Sequence, residues 1–95
     1  MIKTSFAIRR FDAGRIAITP GAENAIDNSE IVTALLRHTY GDWGLVPDED
    51  RLENEFSLEN QLRLLSVYKD SNGKRFWIIT EADRSVTTVL LPEEY

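Results

Sequence analysis

The apolar positions of this 95-residue chain change period twice, which divides it into a β-prone start, a helical middle and a β-prone end. Phe6 to Phe11 and Arg15 to Thr19 are short β-prone runs on either side of Asp12-Ala13-Gly14, a turn signal that predicts a hairpin. Thr19-Pro20-Gly21 then reads as a helix start, because the Thr19 hydroxyl can cap and a proline at the first helical position forfeits no hydrogen bond. A short helix to about Asn28 follows. Ser29 or Asp27 can cap the next segment, where Ile31, Val32, Leu35 and Leu36 recur at helical spacing. That spacing predicts a helix with one apolar face, ending near Gly41.

Gly41-Asp42-Trp43-Gly44 reads as a loop whose tryptophan plugs a core edge. Pro47 and Asp48 open a third helix, with Leu52 and Phe56 one turn apart as its narrow buried stripe. From Leu62 onward the pattern is that of strands. Leu62 to Tyr68, Arg75 to Thr80 and Val86 to Leu91, joined by Asp70-Ser71-Asn72-Gly73 and Glu81-Ala82-Asp83-Arg84, predict an antiparallel meander. Asn72-Gly73 signals a tight turn with positive φ at both central residues. Phe76, Ile78 and Thr80 share one face and Trp77 and Ile79 the other, which suits a central strand. The expected fold is one α+β domain over residues 1–95, in the order β-β-α-α-α-β-β-β: an antiparallel β-meander sheet with three short helices on one face.

Composition narrows the class. Hydrophobic residues at 42% and charged ones at 28% call for a packed core rather than disorder. With no cysteine, a disulfide framework, a thiolate zinc site and a cysteine nucleophile are excluded. No apolar run is long enough to span a membrane, and the charged first fifteen residues do not read as a signal peptide, so a cytoplasmic protein without membrane attachment is expected. The five glycines are scattered and form no phosphate cradle; no cofactor is expected.

The formal charge of −5 is unevenly spread. Residues 1–40 carry five basic and four acidic side chains, residues 41–60 one basic and seven acidic, and residues 61–95 five of each. The whole excess therefore lies in Asp42, Asp48, Glu49, Asp50, Glu53, Glu55 and Glu59, relieved only by Arg51. Such a segment repels a phosphate backbone and attracts a basic surface, so direct nucleic-acid binding is disfavoured and a protein partner with a basic surface is expected. The plainer reading is a solvated helix face with acids favoured near its N-terminus.

Candidate chemistry centres on His38, the only histidine and the natural acid or base near neutral pH. Asp42, four residues on, could orient its ring, with Glu81 or Asp83 as a second carboxylate. A protonated imidazole in the last turn of a helix is also explained by the helix dipole alone. A calcium loop is absent, because Asp48-Glu49-Asp50-Arg51 lacks the turn glycine, and no metal site is expected.

Arg37-His38-Thr39-Tyr40-Gly41-Asp42-Trp43-Gly44 and Ile79-Thr80-Glu81-Ala82-Asp83-Arg84-Ser85 carry a resemblance. Through these motifs the chain resembles the small bacterial "plasmid-related protein" family of plasmids and other mobile elements, over roughly residues 14–95 and including Thr19-Pro20-Gly21-Ala22. Some members are labelled as type I restriction methyltransferase subunits. This chain lacks an Asn-Pro-Pro-Tyr-type motif and a glycine-rich cofactor loop, and is too short for a methyltransferase fold. The resemblance implies an accessory role directed at host defence or plasmid maintenance, using Arg37, His38, Asp42, Trp43, Glu81, Asp83, Arg84 and Thr88.

Two functions of different class follow. The first is a non-enzymatic accessory or regulatory module in which Glu49, Glu53 and Glu55, with the loops around Trp43 and Arg84, meet a basic protein, an expected role being inhibition of a host-defence or nucleic-acid-binding protein. The second is a small hydrolase-like enzyme using His38 with Asp42 and Glu81 or Asp83.

Overall fold

Helix formation begins at two side-chain caps. The Thr19 hydroxyl accepts the Ala22 N–H at 3.2 Å ahead of helix α1 (Pro20–Ala25), and Asp27 accepts the Ser29 N–H at 2.9 Å ahead of α2 (Asn28–Thr39). A third helix, α3 (Asp48–Asn60), has no side-chain cap; Asp48, Glu49 and Asp50 instead place negative charge on its first turn, where the dipole favours it. The computed structural model describes residues 8–95. It adds four strands, β1 (Arg15–Ile18), β2 (Leu64–Lys69), β3 (Arg75–Thr80) and β4 (Val86–Leu90), and a closing 3₁₀ turn, Pro92–Glu94.

The architecture is α+β, with the strands in the spatial order β1-β4-β3-β2. The pairs β2–β3 and β3–β4 are antiparallel, as the meander predicts, but β1 lies parallel to β4, with Ile16 beside Thr87 and Ile18 beside Val89. The sheet is therefore mixed, which corrects the antiparallel expectation. The predicted N-terminal hairpin does not form among the described residues: Ile8 to Phe11 is not a strand, and Phe6 and Ala7 of the expected Phe6–Phe11 run lie outside them. The segment instead crosses the end of α2, where the Arg10 N–H donates to the Thr39 carbonyl at 2.8 Å. The described order is accordingly β-α-α-α-β-β-β.

The core lies between α1, α2 and one sheet face. Ala22, Ile26, Ile31 and Ala34 from the helices meet Tyr68, Phe76, Ile78 and Val89 from the strands, all nearly or fully buried. Each large aliphatic or aromatic side chain removed from water there contributes roughly 1.5–3 kcal/mol. The β2–β3 turn differs from the expected tight form, since Gly73 alone has positive φ, at 85°, and the Asp70 carboxylate accepts the Asn72 and Lys74 N–H groups at 2.9 and 2.7 Å.

A sheet edge exposes unpaired backbone groups, and that of β2 is closed in two ways. Val67 exchanges hydrogen bonds with the loop before α3, its carbonyl accepting from Leu45 at 2.7 Å and its N–H donating to Trp43 at 3.2 Å. One step along, Asn54 of α3 accepts the Leu65 N–H at 3.1 Å and donates to the Leu65 carbonyl at 2.7 Å. This fastening turns α3 over relative to the sequence expectation. Asn54 and Ser57 form its buried face, whereas Leu52 and Phe56 are each 59% exposed.

Gly44 is the tight point of this closure: its φ is +75°, and an added Cβ would overlap the Val67 carbonyl oxygen and press on the Tyr68 ring. Gly73 has a similar φ with open space around it. Gly44→Ala should therefore cost clearly more in a urea unfolding midpoint than Gly73→Ala, whose left-handed strain alone costs about 1–2 kcal/mol. Equal costs would show that the edge closure contributes nothing.

Candidate functional site

Where the last turn of α2 meets β2, β3 and β4, a polar chain is buried. His38 is fully buried, with Nδ1 2.6 Å from Ser66 Oγ and Nε2 2.9 Å from Thr80 Oγ1. Thr80 Oγ1 lies 2.6 Å from Thr87 Oγ1, and Thr87 donates to the Ala13 carbonyl at 2.7 Å. That terminal acceptor sets the direction of every earlier bond. Thr87 spends its proton on Ala13, so Thr80 donates to Thr87, the imidazole donates Nε2–H to Thr80, and Ser66 donates to Nδ1. A neutral imidazole with its proton on Nε2 satisfies the whole chain; a second proton on Nδ1 would collide with the Ser66 donor.

The surroundings enforce the same state. Phe11 and Trp43 meet the imidazole edge-on at centroid distances of 5.1 and 5.7 Å, and burial, followed by the charge of Arg84, pushes its pKa down from 6.5 to about 3. Enclosed in this way, His38 has no face open to a substrate.

Asp42 does not orient it. The carboxylate accepts from Arg37 Nε at 2.7 Å and Nη2 at 3.3 Å, and from the Gly44 N–H at 3.1 Å, which holds its pKa below the usual range. Arg37 in turn lies over the Tyr68 ring, 4.8 Å from its centroid. Asp83 closes its own turn by accepting from the Ser85 N–H and hydroxyl at 3.0 and 2.6 Å, and Glu81 approaches Arg63 at 3.8 Å. Arg84 sits at a φ of 63°, and its guanidinium reaches the carbonyls of Leu62 at 2.6 Å and Ser57 at 3.1 Å, tying the β3–β4 turn to the end of α3. Thr88 is half-buried on the sheet face opposite α1 and α2, beside Ala17 and Ile79. The two sequence motifs thus meet in the molecule, through Phe11, Trp43, His38 and Thr80, as interior scaffolding. Among the described residues no group of three or more His, Asp or Glu side chains gathers for a metal ion.

The acidic segment divides in two. Glu55 turns inward, accepting two hydrogen bonds from Arg10 at 2.7 and 2.9 Å and one from Trp43 Nε1 at 2.9 Å, so its pKa is lowered chiefly by Arg10. At this half-buried position the carboxylate clamps the N-terminal segment, the Trp43 loop and α3 together. Glu49 and Glu53 remain exposed on α3. At helical spacing, Leu52 and Phe56 form one outward stripe, with Asp48 and Glu59 along one side and Glu49 and Glu53 along the other. The sequence contains this stripe, but helical period alone assigns Leu52 and Phe56 to the core; the fastening through Asn54 was the missing signal.

No protein-family model, curated protein or solved structure matches the chain.

Two outcomes follow from this geometry. The single histidine resonance should not titrate in the folded protein between pH 8 and 5, while stability falls on acidification below 6.5, because the unfolded imidazole takes up a proton that the folded one refuses. The slope approaches about 1.4 kcal/mol per pH unit for one proton, with the loss complete near pH 3. A histidine titrating near its ordinary value in the native state would contradict the buried chain. Separately, Glu55→Gln should lower stability by about 1 kcal/mol, an amount held down by the partial exposure of its ion pair, whereas Glu53→Gln should leave the unfolding midpoint unchanged.

Proposed function

We propose that this protein is a non-enzymatic binding module whose α3 docks its outward face into a partner's apolar groove rimmed by Lys and Arg. The observation that carries the reading is the placement of Leu52 and Phe56, each 59% exposed, between two rows of carboxylates. A helix whose own buried face is polar does not need those two side chains for packing. At one-turn spacing they match the anchor pattern by which helices enter grooves. The flanking acids favour a cationic rim, speed encounter and disfavour acidic partners.

A protein surface that ordinarily holds nucleic acid has this charge, and an accessory protein of a mobile element that occupies such a surface would act as an inhibitor. The enclosed His38 and the Arg37-bound Asp42 favour this reading over the hydrolase.

Capture experiments from lysate of the native host, with the immobilised full chain, provide the test. A partner held by the wild type at low salt should be lost at high salt, lost with Leu52→Ser/Phe56→Ser, and weakened with Glu49→Gln/Glu53→Gln/Glu59→Gln. Both variants should keep the wild-type unfolding free energy to within about 0.5 kcal/mol, because these side chains face solvent. Identical captured sets for wild type and both variants would refute the proposal.

A further inference from the structure

The two edges of the sheet are treated differently. The β2 edge is closed by Asn54 and by the Trp43–Leu45 loop, whereas β1 is the terminal strand on the other side. The β1–β4 ladder is set by the Arg15 N–H donating to Ser85 and the Thr19 N–H to Val89, at 3.0 Å each. In a parallel ladder the N–H and C=O of one residue point to the same side, so Arg15, Ala17 and Thr19 face β4 and the backbone groups of Ile16 and Ile18 face outward. Among the described residues no strand pairs with that edge.

Ile16 and Ile18 are 42% and 37% exposed, and Val32 and Leu36 of α2 are 55% and 52% exposed. Ile16, Val32, Leu35 and Leu36 form the apolar wall of a groove of about 570 Å³ between β1 and α2, whose other end carries Arg9, Asp12 and Arg84. An open edge flanked by apolar side chains is the arrangement that sheet proteins usually block with charge, a bulge or a cover.

We propose that β1 pairs with β1 of a second copy of this chain, antiparallel about a two-fold axis through Ala17, joining two sheets into one of eight strands. The register is dictated by the outward groups. Ile16 of one copy exchanges both backbone hydrogen bonds with Ile18 of the other, and the symmetric pair does the same, giving four bonds across the axis. Ala17 meets its own copy in the close, non-hydrogen-bonded position, where a small side chain lets the strands approach.

Each sheet face is then complementary to itself. On the α2 side, the isoleucines of both copies form one apolar layer continuous with Val32 and Leu36. On the opposite side, the exposed Arg15 stands across from the second copy's Thr19. Thr19 donates its hydroxyl proton to Glu94 at 2.5 Å, so the Arg15 guanidinium arrives beside the second copy's Glu94 carboxylate. The axis repeats that ion pair. A self-complementary strand with matched charge at its ends fits a second copy better than an unrelated extended peptide. The dimer leaves both β2 edges, and the α3 helices fastened to them, at its two far ends.

The full chain contains no cysteine, so a single engineered thiol reports on this geometry without interference. Ala17→Cys places two thiols across the axis at a Cα separation of about 4.5 Å, within disulfide reach. It should oxidise to a covalent dimer, while Lys69→Cys, beside the closed edge, should remain largely monomeric. By sedimentation, the wild type should approach twice the 10.9 kDa chain mass as concentration rises. Ile16→Lys should be monomeric, and Arg15→Glu, which faces Glu94 with like charge, should weaken the dimer by about tenfold or more, both with wild-type circular dichroism. If Ile16→Lys fails to fold, Ala17→Cys and Arg15→Glu carry the test. A wild type monomeric to its solubility limit, a dimer indifferent to Arg15→Glu, or Ala17→Cys cross-linking no faster than Lys69→Cys would overturn the proposal.

Discussion

The hydrogen-bonded line Ser66–His38–Thr80–Thr87–Ala13 is the constraint around which this molecule is assembled. It runs from β2 through α2 and across β3 and β4 to the segment before β1, and each member is either a fully buried side chain or the carbonyl that ends the line. A buried polar group left without a partner costs about 1–3 kcal/mol, so a shift in any one element would expose a chain of such losses rather than one. No buried side-chain nitrogen or oxygen lacks a partner among the described residues, which is the condition under which a polar core specifies one arrangement.

Around this line the aromatic and charged residues form successive enclosures. Phe11 and Trp43 cover the imidazole, with their rings stacked 6.1 Å apart; Glu55 receives the indole N–H and Arg10 clamps Glu55. Two residues along β2 from Ser66 and on the same sheet face, Arg37 covers Tyr68, whose hydroxyl donates to the Asp42 carbonyl at 2.5 Å, and Asp42 secures Arg37. The residues most suggestive of catalysis are thus consumed in holding the loop before α3, and the loop in turn closes the β2 edge. The outward faces of α3 and β1, on which the two proposed interactions rest, take no part in this interior chemistry.

The local signals were largely readable. Thr19, Pro20 and Asp27 start their helices where capping chemistry places them, and Arg75–Thr80 is the strand that its branched and aromatic content indicates. Ile31, Val32, Leu35 and Leu36 were correctly read as helical, but only part of that set enters the core, because α2 also borders the groove beside β1. Two readings failed for reasons outside any local window. Asp12-Ala13-Gly14 has the composition of a hairpin turn but packs against the β3–β4 turn, and Leu52 and Phe56 have the spacing of a buried stripe on a helix whose inward face is held by an amide.

Taken alone, the sequence determined the element types from Arg15 onward, the caps of α1 and α2, the absence of thiol chemistry and the concentration of negative charge near α3, because each of these rests on residue identity or on neighbours within a few positions. The tertiary structure decided that β1 runs parallel to β4, that His38 is buried and neutral, and that Glu55 faces inward while Glu49 and Glu53 face out. These outcomes depend on partners far apart in the chain: Arg15 beside Val86, His38 beside Thr80, Arg10 beside Glu55. Which of many suitable partners a polar or apolar group takes is set by the joint satisfaction of all buried groups, and that condition exists only once the chain has folded.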